Sequence, residues 1–356
     1  MLRLHQLRGH ERLLLSPRRR RAWVGYADER LLEVRLCDLG LSIERTPLAR
    51  YVRRLHAELA ARGVRFRPHV WLSTEWFSPD GVPGIAIPFY LAHPRLLRLE
   101  ARQMLEVEGG TAASCMRILR HEAGHALDTA YRLHARRSWR DVFGRWNDPY
   151  PDHYRPQPAS RSYVVHLDAW YAQAHPAEDF AESFAVWLQP GSRWRSRYRD
   201  WPTALAKLAY VDSIVGQIAG RAALARSRAR IEPISALTTT LGEHYARKRE
   251  RFGRGSADAY DADMRRVFSD EPRYRDRPTA ASFLRGLRRE LRITLAEWTG
   301  THAYTVDQVL QGMIERCRRL KLRLAAPPRE ARTQAMLLLT VHTMNCLYLG
   351  RHEFRL

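Results

Sequence analysis

Lysine is nearly missing from this chain of 356 residues: Lys207, Lys248 and Lys321 are the only three among 60 basic side chains, and the rest are arginines. The formal net charge of +22 invites a polynucleotide partner, because phosphate contacts dominate that kind of affinity. The arginines are spread along the whole chain, however, and read as a compositional habit more than as one binding stripe. Only residues 18–21 form a run that can touch an anionic partner, and such runs mostly solvate a surface. Nucleic acid is therefore a possible partner that the composition does not favour.

Cysteine is scarce too. Cys37, Cys115, Cys317 and Cys346 stand far apart without a Cys-x-x-Cys pair, which excludes a disulfide framework and predicts reduced, mostly buried thiols. Long apolar runs are absent, which excludes a helical membrane span. The first 21 residues lack the apolar core of a secretory signal, so a cytoplasmic protein is expected. What the chain does have is enough apolar residues, 45%, to build a sizeable core.

Periodicity divides the chain. Residues 22–100 mix strand and helix signals: Leu48, Tyr51, Val52, Leu55, Leu59 and Val64 recur at helical spacing. Further on, "SPDGVPG" separates two apolar runs and predicts a pair of strands joined by a loop. Pro83 and Pro88 bracket residues 84–87, and proline belongs at a sheet edge because it cannot donate to the ladder. An open edge strand is expected there.

From about residue 111 the chain turns helical, with Thr111 as a candidate N-cap. A second helix opens at Pro176 and stops at Pro190 and Gly191. Residues 137–174 between them are rich in aromatics and proline and predict an ordered loop. Beyond residue 200 helix follows helix, interrupted by a polar, glycine-bearing stretch at residues 247–266 that offers a boundary. The domain division expected is 1–205, with an α/β part at 22–100 and a metal-binding part at 101–205, followed by a helical region at 206–356.

The metal reading comes from "RHEAGHALD". Residues four apart lie one above the other on a helix, so His121 and His125 can aim two ring nitrogens at one point about 2.0–2.1 Å from each. Glu122, one position round, can reach a water at that point and serve as its base. A catalytic zinc ordinarily takes a third protein ligand. The glycine and third histidine of a metzincin would fall at Asp128 and Tyr131 and do not match. Glu178 and Glu182, four apart on the second helix, are the better source, one as ligand and the other as support for a histidine N–H; their spacing also suits a plain solvated face. Asp128 is a candidate to orient His125, whereas His166 and Asp168 read as loop structure.

Over residues 171–187, "YAQAHPAEDFAESFAVW" together with "HEAGH" resembles the gluzincin metalloproteases of the anthrax lethal factor and pro-pro endopeptidase type. The resemblance covers residues 111–190 and implies an α+β, zincin-like core: a small mixed sheet with an edge strand, an active-site helix and a glutamate helix, here followed by a mainly α-helical C-terminal region. It implies zinc held by His121, His125 and Glu178, with Glu182 as the supporting acid and Tyr171 as the phenol facing the substrate carbonyl. Tyr154 and Tyr163 are alternatives for that last role.

The function expected is zinc-dependent hydrolysis of peptide bonds with Glu122 as general base. A peptide or protein substrate would pair with residues 84–87 by strand addition and be selected by the aromatic segment 139–170. The alternatives are a zinc protease core tethered to nucleic acid by its basic surface, and a non-catalytic zinc module whose helical half docks a partner.

Overall fold

The computed structural model describes residues 19–151, 153, 154, 157, 160–252, 261–348, 354 and 355. The arginine run at residues 18–21 falls outside the residues and side chains so described. The protein is mostly helical, with one small parallel sheet, an α+β arrangement.

Helix α1 (Pro47–Ala61) begins with proline at its first position and buries Leu48, Val52, Leu55 and Leu59 on one stripe. Strands β1 (His69–Ser73) and β2 (Gly84–Pro88) pair in parallel, His69 opposite Gly84. The short connection between them doubles back, so that Ala86 N–H donates to the Phe77 carbonyl at 2.8 Å on the other side of β2. Every residue of β2 is buried. The open edge expected at residues 84–87 is therefore closed from both sides, because a segment too short to cross over as a helix lies along the strand instead.

Helix α2 (Pro94–Met104) leads to α3 (Ala112–Tyr131), which starts where Thr111 and Ser114 cap each other reciprocally. α3 is buried almost all round, packed against α1, β2 and a later helix, α5 (Pro176–Leu188). Between them α4 (Arg137–Phe143) carries Trp139 and Phe143 into the core, so only the later part of the aromatic segment remains free to line a cleft. α6 (Pro202–Ile218) covers α5 from the far side, and α7 (Leu241–Phe252) packs on α2.

These elements share one apolar core that runs from Trp23 to Tyr245. A second core, from Met264 to Leu339, belongs to α8 (Asp261–Val267), α9 (Ala280–Thr299), α10 (Ala303–Arg319) and α11 (Pro328–Tyr348). The change of core falls between Tyr245 and Met264. α6 stays with the first core because its buried face (Leu208, Val211, Ile214, Val215) is needed to cover α5. Among the described residues no helix is long and apolar enough to cross a membrane. Cys37, Cys115 and Cys317 are free thiols, the last two buried.

Buried ion pairs fix how the helices sit. Arg120 on α3 meets Glu58 on α1 through two hydrogen bonds of 2.7 and 2.8 Å. Lys207 on α6 meets Asp179 on α5 at 2.6 Å, and Lys248 on α7 meets Glu100 on α2 at 2.9 Å. Two of the chain's three lysines are thus buried in ion pairs.

α3 and α5 cross with their backbones in close contact. A Cβ on Gly124 would lie 2.8 Å from Ala181 Cα and 3.2 Å from its carbonyl oxygen, backbone that cannot yield without parting the helices. Gly124→Ala is expected to destabilise the metal-free protein by about 1–3 kcal/mol and to weaken metal binding with it. Thermal unfolding and a metal titration of the variant check both, and an unchanged midpoint would show that the crossing has slack.

Candidate metal centre

The crossing of α3 and α5 brings together three side chains from two helices. His121 Nε2 lies 3.0 Å and His125 Nε2 3.1 Å from Glu178 Oε2, and the two nitrogens are 3.1 Å apart. Three donors this close together can all reach one first-row dication with bonds of about 2.0–2.1 Å. His121, His125 and Glu178 can therefore hold a metal ion. The protonation pattern agrees. His121 Nδ1 is 2.8 Å from Glu182 Oε1, and a proton on Nδ1 leaves the Nε2 lone pair facing the shared point. Without a cation or extra protons, lone pairs of two imidazoles and a carboxylate would oppose one another at 3 Å.

The charges tell the same story. Burial alone would disfavour ionised Glu178, yet His125 and His121 hold its carboxyl far below the usual range. Burial likewise opposes a charged His121, but Glu178 and Glu182 outweigh it and raise the imidazole well above its ordinary value. The pocket is thus built for positive charge between acids. Glu182 is fully buried; its second oxygen accepts the Leu167 backbone N–H at 2.8 Å, which ties the loop before α5 to the histidine.

α5 delivers Glu178 from its first turn. His175 caps the helix by accepting the Ala177 N–H at 3.1 Å, and Pro176 occupies the next position. Glu122 is buried beside the triad, with one carboxylate oxygen left without a partner, and burial pushes its carboxyl up. Ser78 Oγ donates to the Glu122 carbonyl at 3.0 Å, binding the segment along β2 to the metal helix. Tyr171 sits in a 3₁₀ turn ahead of α5, its ring 5.5 Å from that of His121, and lines the same cleft.

Two other tyrosines considered for that role stand elsewhere: Tyr154 is buried behind Tyr171, and Tyr163 packs under the Lys207 ammonium. The phenol that does touch a ligand is Tyr150, whose hydroxyl donates to Glu178 Oε1 at 2.9 Å. Its only trace in the sequence is its place between Pro149 and Pro151, which stiffens the backbone there. Asp128 does not orient His125. Both its oxygens are taken by His134, one by the backbone N–H at 2.8 Å and one by ring Nδ1 at 2.6 Å. The chain turns sharply at Arg132, in the left-handed region, and brings His134 back to the helix end. His166 bonds the Arg117 carbonyl at 3.0 Å and is loop structure, as expected.

The triad opens into a cleft of about 1050 Å³. Its walls carry Glu75, Asp80, Glu106, Glu108 and Glu232 besides the site's own acids, and only Arg117 and Arg251 as cations. Glu106 also accepts the Ala303 N–H at 2.9 Å, so the helical C-terminal region reaches the rim.

His134 stacks on Trp146, another wall residue, at 4.3 Å and 18°. Its hydrogen bond to Asp128 raises the imidazole pKa more than burial lowers it. A histidine whose folded pKa is raised adds stability that is full below its unfolded value near 6.5 and is lost as pH rises through the folded one. Wild type should therefore exceed His134→Gln in melting temperature by more at pH 6 than at pH 9; a gap independent of pH would exclude an ionised His134.

No protein family, no curated protein and no solved structure matches this chain.

Proposed function

We propose that the protein is a zinc-dependent metallopeptidase of gluzincin type, with a zincin-like core, that hydrolyses peptide bonds. The single observation that carries this reading is the company of the His121, His125 and Glu178 group: a buried carboxylate, Glu122, with an oxygen that no atom of the described residues satisfies, at the wall of an open cleft. A purely structural metal site closes its coordination shell and has no use for an idle buried acid.

Zinc, when bound, would supply a Lewis acid that polarises a carbonyl and acidifies water at neutral pH. The rest of the chemistry falls to the chain. His121, His125 and Glu178 bind the ion, and Glu182 keeps His121 in the tautomer that leaves Nε2 free. Glu122 accepts the proton of the attacking water on its unpartnered oxygen and passes it to the leaving amine. Tyr171, whose phenol is kept protonated by burial and by the nearby Glu178 and Glu122, donates to the oxyanion that develops on the substrate carbonyl. With β2 closed, an extended substrate has the segment that carries Trp76, Phe77 and Ser78 as the rim to lie along.

Glu122→Gln is expected to keep its zinc and lose peptide hydrolysis by about 10²–10⁴-fold. Glu178→Ala should lose most of the metal. Elemental analysis of both purified variants, with a peptide-library cleavage assay run with and without chelator, tests the reading; zinc unchanged in both would remove Glu178 from the centre.

A further inference from the structure

We propose that Tyr150 is a positioning residue that keeps Glu178 a one-oxygen ligand and so preserves the coordination slot in which water must sit. The inference rests on the reading of His121, His125 and Glu178 as a metal centre.

The two oxygens of Glu178 have different surroundings. Oε2 faces both imidazole nitrogens, at 3.0 and 3.1 Å, while Oε1 accepts the Tyr150 hydroxyl at 2.9 Å. The last torsion of a glutamate is soft and roughly two-fold, so nothing within the side chain stops it from presenting both oxygens to an ion. A second bond from Oε1 would raise the coordination number and occupy the side of the ion left open by three protein ligands. The hydrogen bond opposes that rotation, because Oε1 would have to leave its donor.

Tyr150 is well mounted for this. Its ring stacks on His175 with centroids 3.8 Å apart and planes at 17°. His175 is fixed at both nitrogens, Nδ1 accepting from Ala177 N–H at 3.1 Å and Nε2 donating to the Asp148 carbonyl at 2.9 Å. The phenol therefore rests on the N-terminal turn of the helix that carries Glu178 and keeps its place relative to that carboxylate. Tyr171 is mounted differently, with its ring against His121.

Cobalt(II) in place of zinc reads the coordination number directly, because four-coordinate cobalt absorbs visible light several-fold more strongly than five-coordinate cobalt. Wild type should give the intense four-coordinate spectrum. Tyr150→Phe should bind cobalt no more weakly than wild type, yet show the weaker five-coordinate bands, and His175→Ala should move part of the way. A Tyr150→Phe spectrum identical to wild type, or loss of the ion in that variant, overturns the inference while leaving the metal centre intact. Failure of wild type to take up cobalt at all overturns the metal reading and this inference with it.

Discussion

Everything near the cleft depends on how closely α3 and α5 cross, and that is set by a missing side chain. With only hydrogens on Gly124, the backbone of Ala181 can lie against it. Ligands on two helices converge only when the axes are near enough for a short side chain from one to reach the other. The buried pairs Arg120 with Glu58 and Lys207 with Asp179 then set the rotation of each helix. A buried pair adds little net stability over apolar packing, but breaking one leaves an uncompensated charge, so each resists rotation strongly.

The second constraint is electrostatic. Glu122, Glu178 and Glu182 are all buried within a few ångströms of two histidines. Carboxylates are seldom buried unless paired or bound to a cation. Here the partners are arranged in order of distance from the shared point: ligand atoms first, then Glu182 behind His121 and Tyr150 behind Glu178, then Leu167 N–H behind Glu182. Each group is held by the next one out, and this keeps soft side chains within the tolerance that coordination demands.

Much of this was legible in the chain itself, and the reason is locality. Thr111 as cap, Pro176 as first helical residue, and the histidines four apart all follow from one helix at a time. Glu178 and Glu182, four apart on α5, both face the histidines. The failures are all non-local. Residues 84–87 read as an edge strand because nothing in their pattern records that Phe77 returns to pair with Ala86. Asp128 was assigned to His125 by helical geometry, whereas a tight reversal after Arg132 gave it to His134. Tyr150 was one aromatic among many in a long loop, and its reach to Glu178 depends on a stack with His175 that is 25 positions away. Amphipathic spacing likewise shows that α6 has a partner without saying that it packs with the first core.

The cleft and the chain as a whole differ in the sign of their charge. The chain carries an excess of 22 positive charges, yet the walls around the triad are dominated by carboxylates. A cleft lined mainly by carboxylates disfavours anionic groups at its mouth and admits cationic or neutral ones more readily, whatever the sign of the chain as a whole.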